Sequence, residues 1–383
     1  MRPIYLDYNT TTPIAPRVQE AMLPFLAEHF HDPGGFGPES TAVGQAMSDA
    51  RSRVRAAVGA VDEHRVVFTG GGASSCLTAI RGVVDNWHHC EYAPTCHIVV
   101  SGIEHSRVAE PVRHLETLGR IETTQVPCDA SGVVEWRSIA DAIRDDTALV
   151  WVAHADHLTG VIQPVKSIAE ECHRRRTLLH VDASVSFGKV PIDVEEMGVD
   201  LLSISGRTVY GPSGIGALYA RDTAVLEPSL HEGPFGENEF HNEAPNVPGA
   251  VALGRAAELA TAALNDSAPR LASLRDQLEA KLGEALGDAV QVVAGRSNRL
   301  PNTSLMKFGD WISLNLLGDE TDLRVALLHD ASMPIFGRTH LFGDFAEPVL
   351  NAVPISVGWY TTEEEIDRAA SLLIDAWERA TGR

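Results

Sequence analysis

A few polar side chains stand directly after short apolar runs, and their types are those that move protons. His105 follows the run ending at Ser101, Asp156 and His157 follow TALVWVA, and Asp182 closes TLLHVD. Ser205, Arg207 and Thr208 follow the run Leu201–Ile204. Imidazole titrates nearest to neutral pH, and a positioned carboxylate can pass a proton to or from a reacting group. A cavity lined by such groups suits a cationic or amine-bearing ligand. The central stretch is DLLSISGRTVYGPSGIGALYA, which starts at Asp200. It reads as an apolar strand, a glycine-rich turn carrying Ser205, Arg207 and Thr208, and a second apolar strand. Glycines at 206, 211, 214 and 216 let that turn bend sharply and come close to a ligand.

The elements that position these residues alternate. RVVFTGGGASSCLTAIRGVV reads strand, glycine turn and helix, and a glycine turn feeding a helix N-terminus is an anion site because unpaired N–H groups point outward there. Strands at 97–101, 147–153, 177–182 and 200–204 follow, with a helix over Pro164–Arg176. Such alternation predicts a mostly parallel sheet covered on both faces, with ligands beyond the carboxyl ends of the strands. Gly70–Gly72, His105, Asp156, Asp182 and Ser205 all fall at such ends. Helices are also expected from Pro16 to about His29, over Ala250–Asn265 and over Ala268–Leu286. A smaller α+β unit follows, with strands near 289–294, 303–308, 311–316 and 351–357, a helix near 320–330 and a closing helix from Thr362. The division expected is a large domain over 14–255 and a small one formed by 1–13 with 256–383.

Bulk composition narrows the class. A chain of 383 residues with 44% hydrophobic and 22% charged residues is that of an ordinary globular protein. A net charge of −21 argues against nucleic acid or an anionic membrane as partner. No long apolar span or leader is evident, so a cytoplasmic location is expected. The five cysteines, at 76, 90, 96, 128 and 172, show no metal-type spacing, and no metal is expected. The lysines are Lys166, Lys189, Lys281 and Lys307, none of them in the glycine-rich turn.

The motifs resemble those of the class V aminotransferases, most closely the cysteine desulfurases, over essentially the whole chain. YLDYNTTTP resembles the family's YLDYNATTP opening, IEHS its I-E-H, HVDAS its D-A-x-Q region, and SGRTVYGPSG its S-x-H-K and Y-G-P-K-G run. The resemblance implies the pyridoxal-phosphate fold type I: a large α/β domain with a mostly parallel seven-stranded sheet and a smaller α+β C-terminal domain. It implies that His105 stacks on the cofactor ring and shuttles protons, that Asp182 pairs with the pyridine nitrogen, and that Ser205 binds phosphate. A homodimer with shared sites is implied as well.

Several family positions carry other residues. The lysine that joins pyridoxal phosphate covalently is Thr208, the preceding histidine is Arg207, a phosphate-binding threonine is Ala73, and the glutamine after Asp182 is Val185. A partner-facing phosphate donor is Ala244, the carboxylate-binding arginine is Pro354, and the former nucleophile loop, MPIFGRTHLFGDFAEP, holds no cysteine. New polar residues stand nearby: Asp156 and His157 for two asparagines, His241 and Glu243 in the partner-facing segment, and Arg338 and His340 on the loop. The expectation is an enzyme of specialised metabolism that works without a cofactor, or with pyridoxal phosphate held at most non-covalently. His105, Asp182, Asp156 and Arg207 would do the chemistry. Thr208, His157, Ser205, His241, Glu243, Arg338 and His340 would bind an amine-containing small molecule for condensation, cyclisation or lyase chemistry. The alternatives are a conventional pyridoxal-phosphate desulfurase, lyase or aminotransferase, and an inert scaffold or regulatory partner.

Overall fold

The computed structural model describes residues 3–61, 66–90, 95–221, 224, 245–309, 323–325 and 352–382. In chain order its elements are β1 (Ile4–Leu6), α1 (Pro16–Met22), α2 (Pro24–Ala27), α3 (Pro38–Ala57), β2 (Val66–Thr69), α4 (Gly72–Cys90), β3 (Cys96–Ser101), α5 (Ser106–Thr117), β4 (Ile121–Val126), α6 (Trp136–Ala142) and β5 (Thr147–Ala153). They continue with α7 (Val165–Arg175), β6 (Leu178–Asp182), α8 (Val194–Met197), β7 (Leu201–Ser205), β8 (Gly216–Ala220), α9 (Val247–Leu286), β9 (Val290–Val292), β10 (Thr303–Phe308), β11 (Leu323–Val325), β12 (Ala352–Ser356) and α10 (Glu363–Thr381).

Seven strands form one sheet in the order β2-β8-β7-β6-β5-β3-β4. Neighbours from β7 to β4 pair in parallel, and β8 runs antiparallel to both β2 and β7. The central strands are mostly apolar because both faces are covered: every residue of β3, β7 and β8 is buried. With β8 reversed against both neighbours, the carboxyl ends of β2, β7, β6, β5 and β3 point to one edge, and the polar residues after them gather there.

A smaller sheet, β12-β10-β9, is antiparallel, and β1 pairs in parallel with β11. The long helix α9 serves two cores. Ala252, Leu253, Ala256, Ala257 and Ala260 pack into the core of the large sheet, and Leu271, Leu274, Leu278 and Leu282 pack under the small sheet with Phe308, Ile366 and Leu373. The spacing of three and four residues within each set keeps each on one helix face.

Three sequence expectations are corrected. The two helices expected on either side of Ala268 are one continuous helix, which Pro269 does not break. The helix expected from Pro16 to His29 stops at Met22 and restarts at Pro24, where proline removes the N–H that would continue the ladder. Within the range 320–330 where a helix was expected, the described residues Leu323–Val325 form a strand, because Ile4–Leu6 offers them an edge to pair with. The strand expected over 311–316 lies outside the described residues. Among the described residues no helix is long and apolar enough to cross a membrane.

Candidate active site

A cavity of about 330 Å³ opens at the carboxyl edge of the large sheet. Its floor is the turn after β2 and the start of α4. Gly71 has φ +135°, and a Cβ on Gly72 would stand 2.2 Å from Ser184 Oγ. Only glycine at 72 lets this helix start come so close to the turn after β6. The hydroxyl Oγ of Ser184 is buried there and has no hydrogen-bond partner.

Asp182 closes β6 and faces the cavity. Its Oδ1 accepts from Ser184 N at 2.8 Å. Burial raises its pKa, and hydrogen bonds from Ser184 and the Cys76 thiol act the other way. Cys76 is fully buried in α4, and its own pKa is pushed up by burial and by the Asp182 charge. Composition gave no reason to separate Cys76 from the other thiols.

Thr208 lines the cavity at the family's lysine position, and its hydroxyl is committed to backbone. It donates to Ser184 O, and a second contact reaches Ser205 O at 3.2 Å. Ser205 is buried at the end of β7 and lines the cavity with Arg207. The Arg207 carbonyl accepts from Thr12 N at 2.8 Å and Thr12 Oγ1 at 2.9 Å, which fixes the turn to the N-terminal segment.

His105 and His157 face the cavity together, with ring centroids 4.8 Å apart at 54°. Asp156 is wholly buried and stands behind His157 rather than in the lining, its Oδ1 3.7 Å from His157 Nδ1. Ala73 and Val185 line the cavity, and Pro354, Ile355 and Ser356 of β12 form its far wall. His241, Glu243, Ala244, Arg338 and His340 lie outside the described residues.

The N-terminal segment supplies residues that the sequence reading missed. Asp7, Asn9 and Thr10 line the cavity. Asn9 Nδ2 donates to His157 O at 3.2 Å and Thr303 Oγ1 at 2.9 Å, and Asn9 Oδ1 accepts from Lys189 Nζ at 2.8 Å and Asn302 Nδ2 at 3.1 Å. Lys189 is buried deeply enough to lower its pKa to about 7, with Asp7 pulling it back up. Burial raises the pKa of Asp7, and the charges of Arg207 and Lys189 oppose the rise. Nothing in the local spacing could have placed residue 9 between residues 157, 189 and 303. Two further histidines are structural: burial lowers His154 to about 4 and His180 to about 3, and each ring meets a serine hydroxyl at 2.8 Å.

A mostly parallel sheet covered on both faces, with a carboxylate and two imidazoles at its carboxyl edge, defines an enzyme-like site, and comparison with known proteins places it. The family model for aminotransferase class V matches residues 4–369. The chain is 35% identical to the cysteine desulfurase IscS of Dictyoglomus turgidum over 382 residues, covering 97% of this chain and 94% of that one. It is 33% identical to cysteine desulfurase IscS 1 of Archaeoglobus fulgidus over 98% of this chain and 97% of that one. A solved NifS-like protein superimposes with a TM-score of 0.88 at 27% identity, covering 99% of this chain and all of the other. The chain belongs to the class V aminotransferases, in their cysteine desulfurase-like group.

Membership overturns one expectation. The relatives are cysteine desulfurases and NifS-like proteins, a family of pyridoxal-phosphate enzymes, so the expectation of a site without a cofactor is corrected. Ala73 brings no phosphate-binding side chain, but N–H groups at the start of a helix bind phosphate whatever side chain they carry. The residues present fit the group: the unpartnered Ser184 hydroxyl and Ser205 lie beside the first turn of α4, and Asp182 and His105 line the same cavity.

Proposed function

We propose that this chain is a cysteine desulfurase-like enzyme that performs acid–base chemistry on an amine-bearing small molecule. The observation that carries this reading is the convergence of two imidazoles, His105 and His157, and the Asp182 carboxyl on one cavity. Asp182, Ser184, Ser205, Arg207 and the first turn of α4 would hold pyridoxal phosphate, with Thr208 where the family's lysine stands. When bound, that group supplies a carbonyl that condenses with amines and a ring that withdraws electrons. The chain's own residues do the rest. His105 would move a proton at the bound ligand, Asp182 would hold the ligand by charge or hydrogen bonding, and Pro354, Ile355 and Leu158 would help keep water from the cavity.

The same reading separates this protein from its relatives' persulfide chemistry. All five cysteines lie at or before residue 172, so the C-terminal loop has no thiol to act as nucleophile. Pro354 stands where the family has an arginine, so β12 itself brings no cation for a substrate carboxylate. Condensation, cyclisation or lyase chemistry fits this set of groups. A homodimer belongs to the reading too, with the segment 233–246 completing the neighbouring site.

The test is a panel of primary amines and amino acids, L-cysteine included, offered to the purified protein with pyridoxal phosphate and followed by absorbance and product mass. The reading expects turnover of an amine other than L-cysteine. Release of sulfide from L-cysteine at the rate of a working desulfurase would overturn it in favour of the conventional enzyme.

A further inference from the structure

We propose that Trp359 is a positioning residue for the cavity: its indole, stacked on the Tyr210 ring, holds the glycine-rich turn that carries Ser205, Arg207 and Thr208 in one placement against β12. The inference concerns the shape of the site and stands apart from the reading of its chemistry.

Ser205, Arg207 and Thr208 line the cavity ahead of Tyr210, and Ser213, Gly214 and Ile215 line it beyond. Tyr210 is buried between the two stretches and is not itself a lining residue. The turn closes on itself, Gly206 N donating to Ile215 O at 3.0 Å and Gly211 N to Gly206 O at 2.9 Å. Little room remains inside it: a Cβ on Gly206 would stand 2.7 Å from Ile215 Cγ2, and one on Gly211 3.0 Å from Gly206 O. Tyr210 has φ +63°, in the left-handed region, which a bulky side chain occupies only where its surroundings impose it.

Two sets of contacts impose it. On the side of the N-terminal segment, Thr12 Oγ1 accepts from Tyr210 N at 2.7 Å and Ala15 N donates to Tyr210 O at 3.0 Å, which fixes the peptide groups before and after the Cα. The ring is held from the side of the small sheet. Trp359 lies flat on it, with centroids 3.8 Å apart and planes within 10°, and the Trp359 backbone N–H donates to Tyr210 Oη at 2.6 Å. Two other rings face Tyr210 from farther off, Tyr8 at 6.4 Å and the edge-on Tyr360 at 5.9 Å.

Trp359 follows β12, whose Pro354, Ile355 and Ser356 line the cavity opposite the turn. Its own place is set by Arg270 of α9, which donates to the Trp359 carbonyl at 3.3 Å and to that of Thr361. Gly358 leaves space for the Tyr8 ring, which a Cβ there would meet at 2.1 Å. The indole packs against both main hydrophobic cores, that of the large sheet and that of the small one. One side chain therefore ties the turn to the strand across the cavity. Two rigid rings in contact fix distance and angle together, which a flexible aliphatic chain does not.

The experiment is amide hydrogen exchange of the full-length protein without ligand, read by mass spectrometry on peptides spanning 205–215, 303–308 and 352–357. Trp359→Leu keeps an apolar side chain and removes the ring. The variant is expected to exchange roughly twofold to tenfold faster over 205–215, the range that an aromatic pair is worth, with 303–308 and 352–357 at parent rates. Trp359→Phe should return most of the protection. Parent rates over 205–215 in Trp359→Leu, a rise shared by all three peptides, or a Phe variant no better than the Leu variant would each overturn the proposal, the second by showing general packing instead of a hold on the turn. Should Trp359→Leu fail to fold, Tyr210→Phe decides: it keeps the ring and removes the acceptor of the Trp359 N–H, so 205–215 must exchange faster, and parent rates there overturn the proposal. No substrate enters the measurement, so its outcome is independent of the turnover test of the proposed function.

Discussion

At the scale of single residues, the cavity joins groups that the sequence motifs pointed to with groups that they did not. His105 and Asp182 stand in motifs that name them, and the structure puts both in one cavity. A positioned acid or base contributes about 10²–10⁴-fold to a rate. His105→Ala and Asp182→Asn are each expected to lower turnover by roughly that factor while leaving the fold intact, with steady-state kinetics and circular dichroism as the measurements. Full activity in both variants would place the chemistry elsewhere. Asp7, Asn9 and Ser184 were not legible, because what makes them matter is the company they keep. Asn9 holds Lys189, Asn302, Thr303 and the His157 carbonyl, residues up to 294 positions away in sequence. Asp156 was legible as chemistry but not as placement: its letter says carboxylate, and only the fold puts it behind His157 instead of against the ligand.

At the scale of elements, the parallel strands could be read because a strand buried on both faces is a continuous apolar run, and β5 coincides with the TALVWVA segment. The reversal of β8, the continuity of α9 through Pro269 and the pairing of β1 with β11 could not, since each depends on a distant partner. The start of α4 yields a prediction of its own. Gly72→Ala would put a methyl group 2.2 Å from Ser184 Oγ and 3.1 Å from Ser205 Cβ, in the space between the helix start and the two serines. The variant is expected to stay folded and to lose retention of pyridoxal phosphate, measured by absorbance after gel filtration in the presence and absence of added cofactor. Retention equal to that of the parent protein would show that the anion is held elsewhere. The closing helix α10 offers a control far from the cavity. Thr362 and Glu365 form a reciprocal cap, and Thr362→Ala should cost about 1 kcal/mol in a urea titration without touching cofactor retention.

At the scale of the whole molecule, two features bear on assembly and stability. Large apolar side chains stand exposed on the N-terminal helical segment and the turn that follows, Leu23, Leu26, Phe30 and Phe36 among them, with Phe36 fully exposed. Association would cover such exposed apolar side chains, and for the proposed homodimer light scattering is expected to return twice the 41.3 kDa chain mass; a monomer at micromolar concentration would contradict it. Stability should also carry a signature of the buried histidines. His154 and His180 have folded-state pKa values of about 4 and about 3, against 6.5 when unfolded. Between those limits the unfolded chain binds protons that the folded chain refuses, so stability falls as pH drops below about 6.5. At pH 5 the penalty is about 2 kcal/mol for each histidine, from one and a half units at 1.36 kcal/mol per unit. Asp7 and Asp182 act in the opposite direction, because their raised folded-state pKa values let the folded protein take up protons first. Replacing one histidine isolates its share from theirs. Ser203 Oγ, the partner of His180, also meets Ser75 Oγ at 2.8 Å, so His180→Gln leaves that hydroxyl satisfied. Urea titrations of parent and variant at pH 7.5 and pH 5 should show the acid-induced loss of stability shrinking by about 2 kcal/mol in the variant. An equal loss in both would mean that His180 takes up its proton in the folded protein as readily as in the unfolded chain.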